Sequence, residues 1–119
     1  MNARVKKLRL NFQENNIDSM LVCSPENRRY LSGFTGSAGY LLISENEAVL
    51  VTDFRYIEQA DSQAPDFRVE RVSGSLDWFP ILASRLGVQR IGFESMSMTV
   101  ATFSSLKTAI DDARGSHEL

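Results

Sequence analysis

A glycine-rich stretch at residues 33–39, GFTGSAG, is the first feature of the chain that could support chemistry. A phosphate-binding P-loop needs a lysine after its second glycine, because the ammonium group must reach the phosphate oxygens. Here the last glycine is followed by a tyrosine, and no lysine lies between Lys7 and Lys107. A dinucleotide fingerprint joins a strand to the helix that follows it, whereas this stretch precedes an apolar run of strand type. Neither phosphate-binding interpretation fits the sequence.

Ser37 lies inside the same stretch, in the order T-G-S-A-G, and could act as the nucleophile of a hydrolase. A nucleophile elbow places its serine on a strand-to-helix turn, where the hydroxyl is exposed and a histidine can act as its base. Ser37 instead lies on a predicted helix-to-strand connection, and the only histidine is His117, near the end of the chain. The sequence therefore argues against a serine hydrolase centred on Ser37.

Three carboxylates lie beside predicted strand ends and could serve metal chemistry: Asp18, Asp53 and Glu94. Carboxylates in such positions can hold Mg²⁺ in nucleases of ribonuclease H type. The favoured alternative is that Asp53 and Glu94 cap the helices that follow them, because a carboxylate accepts from free amides and complements the helix dipole. With one histidine and one cysteine, the chain also has no His/Cys ligand set. We therefore predict no metal site and no catalytic residue here, with a carboxylate-metal nuclease as the distant alternative.

Arginine residues, two of them adjacent and one beside a tyrosine, are the remaining candidates for a binding site. Arg28 and Arg29 could grip a carboxylate or phosphate through paired hydrogen bonds, but solvated surface residues with local ion pairs are the favoured interpretation. Arg55 and Tyr56 open a predicted helix immediately after a strand. Because binding sites are often built from loops at the ends of a sheet, this second pair is the stronger candidate.

Composition limits the classes of protein to which the chain can belong. Its 119 residues, 43% of them apolar, suit one globular domain with a hydrophobic core. A net charge of −2 provides no field for polyanions, so we predict no nucleic-acid partner. The only cysteine, Cys23, cannot form an internal disulfide and is predicted to be a buried apolar residue. No apolar run approaches the roughly 20 residues of a membrane helix and no signal peptide is evident, so we predict a cytoplasmic protein without a membrane partner.

The elements that must position these residues follow the predicted order α-β-α-β-β-α-β-α-β-α. The runs YLLIS and AVLVT, separated by a short polar turn, indicate an antiparallel hairpin, and the alternating run FRVERV indicates an edge strand. We therefore predict an α/β fold in which a mixed central sheet of five to six strands is flanked by helices. Strands are predicted at 19–23, 40–44, 48–52, 67–72 and 89–93, and helices at 5–12, 26–33, 54–63, 76–86 and 100–110.

Three stretches of the chain, taken in order, carry a family resemblance. Residues 27–43, NRRYLSGFTGSAGYLLI, resemble the N-x-R-Y-L-T-G-F-T-G-S-x-G segment of the aminopeptidase P/prolidase/creatinase family, with Ser32 in place of the usual threonine. Residues 51–60, VTDFRYIEQA, are similar to that family's T-D-x-R-Y-x-x-Q-A segment, and residues 90–94, RIGFE, to its I-G-F/V-E strand. The resemblance covers essentially the whole chain and is greatest to bacterial Xaa-Pro aminopeptidases or dipeptidases.

The resemblance implies a domain assignment. In that family the matching region is an N-terminal domain, a mixed six-stranded sheet with flanking helices that is related in shape to ribonuclease H. Catalysis belongs to a separate C-terminal domain, which holds two divalent metals, commonly Mn²⁺, Co²⁺ or Zn²⁺, and hydrolyses the bond before proline. Residues 1–119 then form a single creatinase/prolidase-type N-terminal domain, and the C-terminal metallopeptidase domain is absent from this chain. We expect the chain alone to bind no cofactor and to be inactive as a peptidase.

The resemblance also implies partners and a site. In relatives the N-terminal domain supports dimerisation, and its loops help to wall the active site of the same or a neighbouring subunit. By position, the candidates for such a substrate rim are Phe34, Thr35, Ser37, Arg55 and Tyr56, although Arg55 and Tyr56 could equally well only support the sheet edge. The expected partners are the protein's own C-terminal domain, a second copy in a homodimer, and proline-containing peptides. The alternatives are a creatinase-like amidinohydrolase and an inactive family member that binds peptides or proteins.

Overall fold

The computed structural model describes residues 3–73 and 75–112, and its elements alternate as the sequence predicts. One difference lies in the helix predicted at 54–63, which begins as a separate 3-10 helix, Phe54–Tyr56. The strands are β1 Ser19–Val22, β2 Tyr40–Ser44, β3 Ala48–Thr52, β4 Arg68–Arg71 and β5 Ile91–Phe93. The α-helices are α1 Ala3–Leu10, α2 Pro25–Ser32, α3 Ile57–Gln63, α4 Trp78–Leu86 and α5 Val100–Asp112.

The five strands form one mixed sheet in the order β4-β3-β2-β1-β5. The central strand β2 pairs antiparallel with both β1 and β3, which confirms the predicted hairpin. The outer pairs, β3 with β4 and β1 with β5, are parallel. β4 is an edge strand, as its alternating sequence predicts, and its first and last residues are exposed arginines. The predicted α/β fold with a mixed sheet is thereby confirmed.

Both faces of the sheet are covered by helices, which explains why β2 reads as a continuous apolar run. Leu41 and Ile43 pack into a core beneath α1, α2 and α3, whereas Leu42 packs into a second core beneath α4 and α5. All three side chains are fully buried. Because side chains alternate along a strand, a strand covered on both sides needs apolar residues at successive positions.

The ends of α2 matter most for the site, because the glycine-rich stretch follows directly. Ser24 is the N-cap, and its hydroxyl accepts from the backbone N–H of Asn27 at 3.2 Å. Pro25 occupies the first helical turn, where its missing N–H is not needed. Gly33 ends the helix in the left-handed conformation, with a φ of 87°. These contacts confirm the predicted start and stop of this helix.

Two predictions differ from the structure, one in the burial of Cys23 and one in the end of α1. Cys23, predicted to be buried, is only half-buried because it follows the last residue of β1. Phe12 lies beyond the end of α1 at Leu10, yet it is only 2% exposed because the turn after the helix folds it back into the core. His117 lies outside the described residues.

Candidate functional site

The glycine-rich stretch runs from the end of α2 to the start of β2, at the end of the sheet where β3 finishes. Phe34 turns inward and is only 1% exposed, and a Cβ added at Gly36 would overlap its ring. Residues 35–39 form what we call the glycine loop, which lies over that ring. Phe34 therefore supports the loop from beneath, and this corrects its predicted place at an exposed rim.

Thr35, the first residue of the glycine loop, is held by α3. Its backbone N–H donates to Oε1 of Gln63 at 2.9 Å, and its hydroxyl accepts from Nε2 of Gln59 at 3.1 Å. Both glutamines lie on α3, four positions apart, so they share one helix face. The Thr35 side chain is exposed but is fixed in orientation by these bonds.

Ser37, at the middle of the glycine loop, is joined to the 3-10 helix. Its hydroxyl lies 2.5 Å from the hydroxyl of Tyr56. The ring of Tyr56 meets Phe34 edge-on, with 6.1 Å between the ring centroids and planes at 80°. Tyr56 therefore connects the exposed loop to the buried ring beneath it.

Asp53 and Arg55 form an exposed ion pair beside this connection. The carboxylate of Asp53 accepts from the backbone N–H of Arg55 at 3.0 Å, which caps the 3-10 helix as predicted. It also accepts from Nε and Nη2 of the same arginine, at 3.0 and 2.7 Å. The Arg55 hydrogen bond holds the pKa of Asp53 below its usual range, and the carboxylate in turn raises the pKa of Arg55. The guanidinium lies 5.1 Å from the centroid of the Tyr56 ring.

The structure thus brings together four of the predicted rim residues, namely Thr35, Ser37, Arg55 and Tyr56. They offer hydroxyl groups and a guanidinium whose side chain is 57% exposed, which suit recognition of polar groups. The hydroxyl of Ser37 is bonded to a tyrosine, and no described histidine lies beside it to serve as a base. The arrangement can therefore bind a polar group, but it carries no nucleophile with its base.

Two surface cavities adjoin the site. A cavity of about 190 Å³ lies between the glycine loop and the start of α4, and its lining includes Ala38, Thr52 and Trp78. A cavity of about 550 Å³ lies beside it and is lined by Asp53, Phe54, Arg55, Arg71, Val72 and Ser73. Asp53, Val72 and Ser73 line both, so the two cavities meet at the ends of β3 and β4.

Arg28 was a binding candidate, but the favoured prediction that it is a solvated surface residue is wrong. Its residue exposure is 4%, and its guanidinium donates to the carbonyl oxygens of Cys23, Gly39 and Gly36 at 2.7, 2.9 and 3.1 Å. Burial lowers the pKa of this guanidinium. The available signal was helical periodicity: Arg28 shares the buried face of α2 with Leu31 and Ser32.

The three candidate metal ligands have separate structural tasks. Asp18 accepts from the backbone N–H groups of Gln89 and Arg90 at 2.9 and 3.2 Å, and Asp53 is paired with Arg55. Among residues 3–73 and 75–112, no group of three or more His, Cys, Asp or Glu side chains could hold a metal ion. Of these two carboxylates, Asp53 caps the helix that follows it as predicted, whereas Asp18 accepts from the two residues before β5.

Glu94 caps a different helix from the one predicted. Its carboxylate accepts from the backbone N–H groups of Cys23 and Ser24, at 2.5 and 2.9 Å, and from the side chains of Ser24 and Asn27, at 2.6 and 2.5 Å. All of these donors lie at the start of α2, 67–71 positions away in the chain. Parallel pairing of β1 and β5 brings Glu94 to this helix end, an arrangement that local sequence could not reveal.

The surroundings of Glu94 also determine the properties of Cys23. Burial tends to raise the pKa of Glu94, but hydrogen bonds from Ser24 and Asn27 outweigh it and the net shift is downward. Burial raises the pKa of the Cys23 thiol to about 11, and the neighbouring Glu94 carboxylate adds to the rise. Cys23 is therefore protonated at neutral pH and is not an activated nucleophile.

A family model and curated relatives both match this chain over most of its length. A family model described as the Creatinase/Prolidase N-terminal domain matches residues 4–117. An uncharacterized peptidase of Bacillus subtilis (strain 168), YqhT, is 43% identical over 111 residues, which cover 92% of this chain and 31% of the relative. A probable Xaa-Pro aminopeptidase P of Coccidioides posadasii is 30% identical over 131 residues, covering 95% of this chain and 21% of the relative. The chain therefore spans at most about a third of the length of these relatives.

Solved structures extend the same likeness to the fold. The Xaa-Pro dipeptidase from Bacillus anthracis matches with a TM-score of 0.89 and 39% identity, over 92% of this chain and 31% of that chain. The N-terminal domain of the cytoplasmic peptidase PepQ from Mycobacterium tuberculosis H37Rv matches with a TM-score of 0.90 and 40% identity, over 100% of this chain and 92% of that chain. That domain was therefore solved separately, at nearly the length of this chain.

One further observation concerns membranes. Within the described ranges, no helix has the length and apolar character that crossing a membrane requires.

The sheet order, the helices on both faces and the family match over residues 4–117 agree, and this chain belongs to the Creatinase/Prolidase N-terminal domain family.

Proposed function

We propose that this chain is the non-catalytic N-terminal domain of a larger peptidase that hydrolyses the bond between any residue and a following proline. The observation that supports it most directly is the coverage: the chain matches 31% of the Bacillus anthracis Xaa-Pro dipeptidase and 92% of an N-terminal domain solved alone. The remaining two thirds of such a peptidase then supply the chemistry.

The proposal assigns the catalytic metals to the remaining two thirds of the peptidase. Two divalent ions, Mn²⁺, Co²⁺ or Zn²⁺, would be held by the C-terminal domain and would activate the water that attacks the peptide bond. The described residues of this chain do not fit such ions, because Asp18, Asp53 and Glu94 are each engaged with different backbone and side-chain donors. We assign no step of the reaction to them.

The role proposed for this domain is to border the active site. Thr35, Ser37, Arg55 and Tyr56 present hydroxyl and guanidinium groups at one end of the sheet, next to the two adjoining cavities. Such groups can bind the polar ends of a proline-containing peptide held by the C-terminal domain of the same or a second subunit. Phe34 takes part only by supporting the glycine loop from within the core.

A homodimer and a cytoplasmic location complete the proposal. The dimer would bring the glycine loop of one subunit to the active site of the other. The location is supported by the Mycobacterium tuberculosis relative, which is named as a cytoplasmic peptidase. Sedimentation of the complete protein tests the dimer, and a strictly monomeric active enzyme would exclude a rim contributed by a second subunit.

The first experiment compares two purified proteins, residues 1–119 and the product of the complete open reading frame. The substrate is an Xaa-Pro dipeptide with added Mn²⁺. We expect hydrolysis by the complete protein and none by residues 1–119. Activity of residues 1–119, or an open reading frame that encodes no further domain, would overturn the proposal. Hydrolysis of an amidino substrate such as creatine, with no peptidase activity, would instead support the amidinohydrolase alternative.

The second experiment tests the rim with Arg55→Ala in the complete protein. If Arg55 binds the substrate, KM rises while the melting temperature changes little, because the residue is largely exposed. The matched control is Arg68→Ala, because Arg68 is also an exposed arginine (50%) with a carboxylate partner, Glu70. Arg68 begins β4, whereas Arg71, which lines the cavity beside Arg55, ends it. Unchanged kinetics with a lower melting temperature would mean that Arg55 only supports the fold.

A further inference from the structure

Arg28 carries a buried charge without a carboxylate partner among the described residues. Its side chain reaches across the end of α2, and Nη1 donates to the carbonyl oxygens of Cys23 and Gly39, at 2.7 and 2.9 Å. Nη2 donates to the carbonyl oxygen of Gly36 at 3.1 Å. Nε is buried with no hydrogen-bond partner in the described part of the chain. Burying a charge is costly unless hydrogen bonds compensate it, and here the three carbonyl oxygens do so in place of a carboxylate.

The positions of the three carbonyl groups indicate what Arg28 does in the fold. Gly36 and Gly39 flank the bend at Ser37 and Ala38 in the glycine loop, and Cys23 precedes the N-cap of α2. One planar guanidinium thus fixes three backbone positions from two segments of the chain. A lysine ammonium has three donors on one nitrogen, so it lacks the rigid fork by which Nη1 and Nη2 reach the carbonyl groups of Gly39 and Gly36 separately.

The helix that carries Arg28 is itself held at its start by Glu94. Glu94, directly after β5, accepts four hydrogen bonds: one from Cys23, two from the N-cap Ser24 and one from Asn27 in the first turn of α2. Because these bonds hold the helix start at β5, the Arg28 side chain projects from a fixed base toward the glycine loop. A connected set of bonds therefore runs from β5 through α2 to the loop.

Other contacts hold the rest of the glycine loop. Residues 35–39 each have at least one anchor outside the loop: Thr35 on Gln63, Gly36 and Gly39 on Arg28, Ser37 on Tyr56, and the Ala38 carbonyl on the Thr52 hydroxyl at 2.7 Å. A glycine-rich loop would ordinarily be expected to move as a lid. Here the backbone carbonyls of Gly36, Ala38 and Gly39 accept from Arg28 and Thr52, whereas the side chains of Thr35 and Ser37 remain exposed.

We propose that Arg28 is a positioning residue that holds the glycine loop as an ordered platform, so that Thr35 and Ser37 meet a substrate in a preset arrangement. This inference rests on the proposed function, since only a domain that borders an active site needs such a platform. Its consequence for catalysis is that the loop orients substrate without closing over it. Loss of Arg28 therefore weakens substrate binding rather than the chemical step.

The first test uses residues 1–119 alone, because a related N-terminal domain of nearly the same length was solved in isolation. Backbone ¹⁵N relaxation reports order parameters, about 0.85 for a rigid backbone and below about 0.6 for a flexible one. In the wild-type domain we expect residues 36–39 to be as ordered as β2 and β3. Order parameters below about 0.6 there would overturn the proposal without any variant being made.

The second measurement compares Arg28→Met, Arg28→Lys and the control Arg29→Met in the same domain. Arg29 neighbours Arg28 on α2 but is exposed, so its replacement removes the same charge without touching the loop. We expect Arg28→Met to mobilise residues 36–39 while β2 and β3 stay ordered. Arg28→Lys should restore part of the order, and Arg29→Met should change nothing. If Arg28→Met does not fold, the Arg28→Lys comparison and the wild-type values decide.

The third measurement uses the same variants in the complete peptidase with an Xaa-Pro dipeptide. We expect Arg28→Met to raise KM by roughly tenfold with kcat within about twofold, and Arg28→Lys to recover part of this loss. A mobile loop with unchanged KM would overturn the rim role in the proposed function but leave the positioning role intact. A loop that stays ordered in Arg28→Met would overturn the positioning role, whatever the kinetics.

Discussion

The hydroxyl oxygens of Ser37 and Tyr56 lie 2.5 Å apart, although the two residues are separated by 19 positions in the chain. This hydrogen bond joins the glycine loop to the 3-10 helix at the end of β3. Because the Tyr56 ring also packs edge-on against Phe34, the same side chain reaches from the exposed loop to the core. These two contacts of Tyr56 fasten the glycine loop to the core of the domain.

Removing this hydrogen bond should have a small and non-additive effect on stability. Tyr56→Phe keeps the ring contact with Phe34 and deletes only the hydroxyl, so we expect a loss of about 0.5–1.5 kcal/mol in the free energy of unfolding. Ser37→Ala should lose a similar amount, measured by urea denaturation. The double variant should lose less than the sum of the two single losses, because either change already breaks the bond. Fully additive losses would contradict a direct interaction.

Replacement of two helix-ending glycines by alanine should separate backbone strain from steric overlap. Gly33 and Gly87 both end helices with positive φ, 87° and 70°. A Cβ at Gly33 would lie 2.7 Å from the Gln63 carbonyl oxygen, whereas a Cβ at Gly87 would meet no atom within 4 Å. We expect Gly87→Ala to cost about 1 kcal/mol from strain alone and Gly33→Ala about 2–4 kcal/mol. Equal losses in chemical denaturation would show that the overlap is relieved without cost.

Glu94 should contribute stability that depends on pH. Its net pKa in the folded protein lies below its ordinary value of 4.5, so its contribution is fully present above about pH 4.5 and is lost as the pH falls through the lower folded value. Glu94→Gln replaces one accepting oxygen by an amide that donates, and should cost about 1.5–3 kcal/mol at pH 7. In urea denaturation between pH 7 and pH 3, the wild-type advantage should shrink below about pH 4.5. An advantage that is independent of pH would mean that the charge of Glu94 contributes nothing.

Cys23 should react slowly with alkylating reagents. Since burial raises the pKa of its thiol from 9.0 to about 11, the thiolate fraction at pH 8 falls by about 100-fold relative to an ordinary cysteine. We expect iodoacetamide to modify the folded chain correspondingly slowly, and to modify the chain unfolded in urea at the ordinary rate. Glu94→Gln should accelerate the reaction, because the neighbouring negative charge is removed. Equal rates for the folded and unfolded chain would contradict the raised pKa.

Much of the fold is local in origin and could be predicted for that reason. The start of α2 at Ser24 and Pro25 and its end at Gly33 depend on residues within one helix, so their types alone indicate them. The hairpin of β2 and β3 follows from two apolar runs and the short turn between them. The 3-10 helix and α3 were predicted as one helix at 54–63, because one apolar pattern runs through both. They differ in the backbone hydrogen bonding of the first turn, which the pattern does not show.

The candidate site could be predicted only in part. Arg55 and Tyr56 were paired, and Asp53 was predicted to cap the helix that follows it, because these residues are neighbours in the chain and their contacts are local. Phe34 was named as a candidate for the substrate rim and Arg28 was predicted in solvent, and both are buried. An aromatic residue in a glycine-rich stretch and an arginine on a short helix carry no local indication of how deep they lie.

The amino-acid sequence alone predicts the order of the elements, the start and end of α2 and which faces are apolar, since these depend on neighbouring residues and composition. The packed chain alone shows that Glu94 caps α2 and that Arg28 holds the carbonyl groups of Gly36 and Gly39. The physical reason is that a buried hydrogen-bonding group is satisfied by whichever partner the sheet brings near it. Pairing of β1 with β5 and the close approach of the loop to α2 determine those partners, and neither is encoded in any short stretch of residues.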